Sequence, residues 1–163
     1  MTSGRNAVLA GWNRCSRWPA GGWLFGRLLG VAVPYARTIS PEFLEIAPGV
    51  ARIRMRDRRR VRNHLGSVHA AALFNLGELV ANTALSAAQP PGARWIVTST
   101  SIVYEKKARG TLEGIARLEP VDWATSHEVV GDSRIVDSGG AVVARVQVRW
   151  QVGPQPSAGR SAA

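Results

Sequence analysis

Cysteine is nearly absent from this chain, because Cys15 is the only one among 163 residues. A single thiol forms no internal disulfide, which favours a reducing, cytoplasmic setting. The histidines, His64, His69 and His127, have no acidic or cysteine companions at metal-ligand spacing, so no metal site is expected. Apolar runs fall far short of the ~20 residues that a membrane-spanning helix needs. The sequence therefore predicts one cytoplasmic globular domain.

Acidic residues are missing from residues 1–41, whose only charged side chains are arginines. Trp12, Trp18 and Trp23 lie among these arginines. Such a segment is suited to peripheral contact with an anionic membrane. Large exposed aromatic side chains are unusual, however, and we favour a helical lid over about residues 23–33 that packs onto the domain or a partner subunit.

Lysine is scarce as well: Lys106 and Lys107 are the only lysines in a chain with a net charge of +10. A basic chain attracts polyanions such as nucleic acid, anionic lipid or phosphate-bearing ligands. No helix-turn-helix, zinc or aromatic-platform motif accompanies the charge, so nucleic acid is not the expected partner.

Pro41 and Pro48-Gly49 indicate the start of a strand, and arginine then occupies every even position of residues 52–62. A period of two predicts a β-strand with the arginines along one face or edge. Such a row is either a solvated face that discourages aggregation or a surface for phosphate groups, which the forked guanidinium binds well.

A long apolar helix is predicted over residues 70–88, where Ala, Leu, Phe, Gly and Val occupy nearly every side. Strand patterns then follow one another from residue 95 to 152, with a hairpin turn at residues 137–140. We expect an α+β fold in which an antiparallel meander of five to six strands wraps around the helix. The predicted division is a basic arm at 1–41, a main domain at 42–152 and a disordered tail at 153–163.

One carboxylate, Glu78, interrupts the apolar helix. Burial of an ionised acid is costly, and acids in such places concentrate at functional sites. Glu78 is therefore a candidate functional residue; the alternative is that it faces a solvated edge or caps a backbone donor. Asn75 and Asn82 share its helical face and would orient it, unless they are ordinary buried amides.

The start of this helix carries a recognisable pattern, Asn63-His64-x-Gly66-x-x-His69 and two small residues, with an acid nine positions after the last histidine. It resembles the hotdog-fold acyl-CoA thioesterases, more closely their phenylacetyl-CoA and hydroxybenzoyl-CoA branch and a poorly characterised bacterial group of the same fold. The resemblance covers residues 48–152. It implies a hotdog fold, a homodimer or homotetramer, and no cofactor beyond the CoA of the substrate.

The resemblance also implies residue roles. Glu78 would act as general base or nucleophile, with Asn63 and His64 beside the thioester carbonyl or the attacking water. Backbone N–H groups at the helix start would polarise that carbonyl. The residues that would hold the substrate carbonyl in this way are Gly66, His69, Ala70 and Ala71. Two further sets of residues would bind substrate. The first set consists of the helix amides Asn75 and Asn82. The second set is basic and would either contact the CoA phosphates or form a solvated surface; its members are Arg58, Arg59, Arg60, Lys106, Lys107 and Arg109. A structural role for His69, as a cap of the loop, is the alternative that we favour.

One position departs from the family pattern. The family commonly has Gly-Gly after the histidine, whereas this chain has Ala70-Ala71, whose methyl groups would crowd the carbonyl. Two functions are therefore considered: hydrolysis of acyl-CoA or acyl-carrier-protein thioesters, and binding of acyl-CoA or acyl chains without hydrolysis. A dehydratase of the same fold fits the spacing less well.

Overall fold

The computed structural model describes residues 6–156, which form one six-stranded antiparallel sheet and three α-helices. The elements in chain order are α1 (Ala7–Cys15), α2 (Gly21–Ala32), β1 (Glu42–Ala47), β2 (Val50–Met55), α3 (Ala70–Ala88), β3 (Ala93–Tyr104), β4 (Leu112–Arg117), β5 (His127–Val136) and β6 (Val142–Pro154). Two short 3₁₀ turns, Ala36–Ile39 and Arg59–Val61, precede β1 and α3 respectively. β6 extends to Pro154, two residues past the predicted end of the domain, and residues 157–163 of the predicted tail lie outside the described residues.

The strand order across the sheet is β1-β2-β4-β5-β6-β3, and it corrects the predicted meander. Two strands precede the long helix, because Pro48 and Gly49 form the turn of a β1–β2 hairpin instead of opening a single strand. Gly49 has a φ of +74°, a conformation that glycine adopts without steric cost. After α3 the chain enters β3 at the far edge of the sheet, where β3 pairs with β6.

The helix α3 lies in the concave side of this sheet, and the predicted α+β hotdog arrangement is confirmed. Its fully buried residues include Leu76, Val80 and Leu85, each of which contributes roughly 1.5–3 kcal/mol by leaving water. Gly77 lets the helix approach β6, because a side chain there would collide with Val146. Ser133 Oγ donates a hydrogen bond of 2.8 Å to the Gly77 carbonyl and ties β5 to the helix at the same level.

The arginine row of residues 52–62 is not one strand face, and that prediction is wrong. β2 ends at Met55, and the segment after it bends around Asp57. Asp57 accepts hydrogen bonds from Arg62 Nε at 2.6 Å and from the Gly110 amide at 2.9 Å. The Arg62 guanidinium, followed by this amide, holds the pKa of the Asp57 carboxyl below its usual value. These side-chain bonds replace the ladder bonds that would have continued the strand.

The predicted N-terminal helical arm is confirmed, and it packs directly on the domain. α2 lies so close to β1 that a side chain at Gly22 would collide with the Phe43 carbonyl. Phe25 of α2 stacks edge-to-face on Phe43, with ring centroids 4.9 Å apart. Asn6, the N-cap of α1, donates its side-chain amide to the carbonyls of Ser86 and Gln89 at 2.5 and 3.1 Å, and so caps the end of α3.

Candidate active site

The loop that leads into α3 is organised by Asn63. Its Oδ1 accepts hydrogen bonds from the amides of Leu65 and Ser67 at 2.9 and 3.2 Å, and from the Ser67 hydroxyl at 3.2 Å. Gly66, with a φ of +69°, closes the turn in a conformation that favours glycine. The oxygen of Asn63 is thus occupied within the loop, while the exposed His64 lies at its tip.

His69 is the N-cap of α3, in agreement with the structural role favoured above. Its Nδ1 accepts a hydrogen bond of 3.0 Å from the Ala71 amide, and its own amide donates to the Val61 carbonyl at 2.7 Å. Its carbonyl accepts from the next two amides of the helix. Because the imidazole already binds the Ala71 N–H, that group is not free to polarise a substrate carbonyl.

Ala70 differs from its neighbours at the helix start. Among residues 6–156 its backbone N–H has no hydrogen-bond partner, and the residue is exposed to solvent. As the first residue of a 19-residue helix it also lies at the positive end of the helix dipole. The Ala70 N–H is therefore an exposed donor at the helix start, and a donor in such a position can stabilise a developing negative charge.

Glu78 lies in the third turn of α3 and is half-buried, so it is neither enclosed in the core nor fully exposed at a solvated edge. The structure gives its carboxylate no hydrogen bond or ion pair with a described residue. The separation from Ala70 is eight residues of helix, about 12 Å at 1.5 Å per residue. The backbones of Glu78 and Ala70 are therefore more than two helical turns apart in one chain.

The two helix amides do not join Glu78 in a polar stripe. Asn75 is buried, and its Nδ2 donates to the Tyr35 carbonyl and to Thr38 Oγ1, both at 3.1 Å. Asn82 accepts a hydrogen bond of 2.7 Å from Trp150 Nε1 on β6. Both amides hold the arm and the sheet against α3, as the structural alternative expected.

Thr100 on β3 is a candidate that the sequence did not single out. Its register partner on β6, Val148, lies midway between the β6 residues that contact Gly77 and Asn82 of α3. Thr100 thus lies on the helix side of the sheet, at a level between Gly77 and Asn82, since paired residues of neighbouring strands share a face. Its hydroxyl is buried without a hydrogen-bond partner among the described residues. The sequence could not single out Thr100, because β3 contains several serines and threonines and nothing in their pattern shows which hydroxyl is buried.

The basic candidates surround the start of α3. The connection that carries Lys107 and Arg109 lies against the loop before the helix, where the Val68 amide donates 2.9 Å to the Ala108 carbonyl. Lys106 is engaged in an ion pair of 2.6 Å with Asp137. The remaining basic candidates are exposed, and the structure gives none of them an ion pair with a described residue; they are Arg58, Arg59, Arg60, Lys107 and Arg109.

Within residues 6–156, no three His, Cys, Asp or Glu side chains come together as a metal site would require. None of the helices there has the length and hydropathy to cross a membrane. The arm nevertheless exposes large apolar side chains, among them Trp18 at 70%, Leu28 at 56% and Val31 at 76%.

A six-stranded antiparallel sheet around a central helix defines this chain as a hotdog-fold protein. The family model described as "Domain of unknown function (DUF4442)" matches residues 21–152, and the chain belongs to that family. The match begins within the arm, so α2 is part of the family's domain.

Solved structures share this fold. The chain is similar to genomics APC5556, with a TM-score of 0.79, 30% identity and coverage of 89% of this chain and 97% of that one. PA5026 from Pseudomonas aeruginosa, described as a probable thioesterase, follows with a TM-score of 0.69, 22% identity and coverage of 78% and 91%. The PaaI protein of the E. coli phenylacetic acid degradation operon has a TM-score of 0.64, 16% identity and coverage of 81% and 94%. No curated protein sequence matches the chain.

Proposed function

We propose that this protein is a cytoplasmic hydrolase of acyl-CoA or acyl-carrier-protein thioesters. The observation that carries the proposal is the Ala70 N–H at the start of α3, which has no hydrogen-bond partner among residues 6–156 and comes eight residues before the half-buried carboxylate of Glu78. An exposed donor at a helix N-terminus stabilises the negative charge that develops on a carbonyl oxygen. A carboxylate in a partly dry setting is suited to accept a proton from water.

In the proposed reaction the thioester carbonyl accepts a hydrogen bond from Ala70 N–H. Glu78 takes a proton from a water molecule, and the water oxygen attacks the carbonyl carbon. The tetrahedral intermediate expels the thiolate, which receives the proton that Glu78 took from water, and the products are a carboxylic acid and the free thiol. Thr100, with its buried hydroxyl at a level between Gly77 and Asn82, is the proposed positioning residue for the acid or its water.

Because the backbones of Glu78 and Ala70 of one chain lie about 12 Å apart along α3, we propose that the site is shared between two subunits. One subunit supplies the Ala70 N–H and the other supplies Glu78. A two-fold axis then generates two equivalent sites per dimer, since the same surface patch is used on both chains.

The edge strand β3 supplies the surface for this dimer. It is 12 residues long, pairs on one side with β6, and carries Ile96 and Val103 about two-thirds exposed, at 66% and 64%. The only charged residue of β3, Arg94, lies at its start, and an edge strand whose remaining length carries no charge favours pairing with another strand. Antiparallel pairing of β3 with β3 of a second copy would continue the sheet and bring the two α3 helices side by side.

The comparisons support this proposal through the names of proteins with the same fold. PA5026 is described as a probable thioesterase, and a hypothetical thioesterase of Streptococcus pneumoniae has a TM-score of 0.61 at 19% identity. These identities show the fold alone. The chemistry of the proposal depends on Ala70 and Glu78 of this chain.

The test is purified protein against a panel of acyl-CoA thioesters of different chain length, with thiol release as the readout. We expect turnover by the wild type and a loss of about 10²–10⁴-fold in Glu78→Gln, which keeps the size of the side chain but removes the base. Glu119→Gln is the matched control, because Glu119 is exposed in the β4–β5 connection. Full activity in Glu78→Gln would contradict the assigned role of the acid.

Binding of acyl-CoA without hydrolysis is the alternative, and it is favoured because the Glu78 carboxylate has no hydrogen-bond or ion-pair partner within the described part of the chain. The same panel separates the two functions. Stoichiometric retention of intact acyl-CoA, with no thiol released over hours, would support binding alone and contradict hydrolysis.

A further inference from the structure

A cleft of about 420 Å³ lies between the arm and the segment that follows β2. Its wall on the arm side comes from α2 and from residues 34–41, and its other wall from the turn that contains Arg58 and Arg60. The residues that line it include four arginines and one tryptophan, and they include no acid: Trp23, Arg27, Arg37, Arg58 and Arg60.

The charge of this cleft is uncompensated, in contrast to the nearby arginines. On β2 and just after it, arginines pair with acids, as in Arg52–Glu113 at 2.6 Å and Arg62–Asp57 at 2.6 Å. The structure gives none of the four cleft arginines an ion pair with a described residue. Like charges gathered in a concave site raise the local potential and attract an anion. The alternating arginines therefore divide into a structural set and a set that faces an open cleft.

Two hydrogen bonds connect the walls of the cleft to α3 and its start. Thr38, in its wall, accepts a hydrogen bond from Asn75 in the second turn of α3. The turn with Arg58 and Arg60 leads through Val61, whose carbonyl accepts from the His69 amide at the helix start. The short segment of residues 60–70 thus connects the cleft to the Ala70 N–H.

We propose that this cleft binds the nucleotide end of an acyl-CoA, and that it makes acyl-CoA, in preference to an acyl-carrier protein, the substrate. The inference rests on the proposed thioester hydrolysis. The nucleotide of CoA carries a 3′-phosphate and a 5′-diphosphate, and forked guanidinium groups bind phosphates through paired charge-assisted hydrogen bonds.

Trp23 supports a nucleotide over an inorganic anion. Its ring is 48% exposed, and it offers an aromatic face on which a base stacks. The Arg27 guanidinium lies over this ring, 5.4 Å from its centroid, so one arginine of the cleft is already held at the aromatic side chain. The phosphopantetheine of an acyl-carrier protein has one phosphodiester and no base, and it would leave most of these groups unused.

The first experiment measures binding of adenosine 3′,5′-bisphosphate to the full chain by isothermal titration calorimetry. We expect saturable binding that weakens about tenfold or more in Arg37→Gln and in Arg60→Gln, since hydrogen bonds to charged groups contribute that much. Arg117→Gln is the matched control, because Arg117 is an exposed arginine of β4 outside the cleft. No binding, or equal loss in all three variants, overturns the proposal. So does binding of inorganic phosphate or of anionic lipid vesicles through Arg37 and Arg60 without binding of the nucleotide.

The second experiment compares kcat/KM for an acyl-CoA with that for the acyl-pantetheine thioester that lacks the nucleotide. The ratio should exceed about ten in the wild type and in Arg117→Gln and should fall toward one in Arg37→Gln. A wild-type ratio of one overturns the cleft assignment while thioester hydrolysis stands. No turnover of either thioester overturns the proposed hydrolysis, and the calorimetry then decides the cleft by itself.

Discussion

Replacement of Ala70 by proline removes one backbone N–H and little else. Ala70 is the first residue of α3, the helical position at which proline is favoured. His69 before it has φ −67° and ψ 141°, the extended conformation that a following proline requires. The Ala70 amide has no partner among the described residues, so the substitution breaks no hydrogen bond there.

The effect on stability and the effect on activity should therefore separate. Proline restricts the unfolded chain and stabilises a compatible site by about 0.4–1 kcal/mol, so the melting temperature should stay constant or rise slightly. Loss of an oxyanion donor costs about 10²–10³-fold in kcat. The expected variant is a well-folded protein that has lost most of its thioesterase activity.

Ala71→Pro is the matched comparison one residue further on. It removes the N–H that His69 Nδ1 accepts at 3.0 Å, and we expect it to cost about 0.5–2 kcal/mol of stability as a lost cap. Ala70→Gly, which keeps the N–H, should retain activity. Thermal unfolding and steady-state thiol release on the three variants provide the measurements. A fully active Ala70→Pro would refute the assignment of this amide.

Two further predictions concern side chains. Thr100→Val removes the buried hydroxyl that has no partner among the described residues, so we expect the free energy of unfolding to stay unchanged or to rise by about 1–3 kcal/mol. We expect kcat to fall, because the hydroxyl is the proposed positioning group. An unchanged kcat would show that Thr100 is not part of the site. Hydrogen bonds from Arg62 and Gly110 lower the pKa of Asp57 from its usual 3.8, so this acid stabilises the folded state above that pH, and the stability is lost as pH falls through the folded-state pKa. In Asp57→Asn the free energy of unfolding, measured by urea titration at a series of acidic pH values, should therefore fall less steeply with decreasing pH than in the wild type. An unchanged pH dependence would contradict the assignment.

The helix and the later strands could be predicted because their signals are local. The apolar run of residues 70–88 became a helix with the same bounds, and the turn at Asp137 joins β5 to β6 as its glycines indicated. The acid nine residues after His69 was visible as an interruption of an apolar pattern. Each of these features is encoded within one element or one turn.

The features that failed prediction depend on contacts between distant segments. The β1–β2 hairpin was missed because Pro48-Gly49 reads equally well as the start of one strand. Asp57 ends the arginine row through bonds to Arg62 and to the distant Gly110, which no periodicity reveals. The difference between the Ala70 and Ala71 amides depends on one imidazole contact. The cleft arginines come from two segments that meet only in the folded chain.

The most direct test of the two-subunit site mixes two inactive variants, Glu78→Gln and Ala70→Pro, under conditions that allow subunits to exchange. Each mixed dimer contains one site in which an intact Ala70 amide meets an intact Glu78. Since about half of the dimers in an equal mixture are mixed and half of their sites are intact, about a quarter of wild-type activity should return. Activity no greater than the sum of the two variants alone would contradict a site shared between subunits.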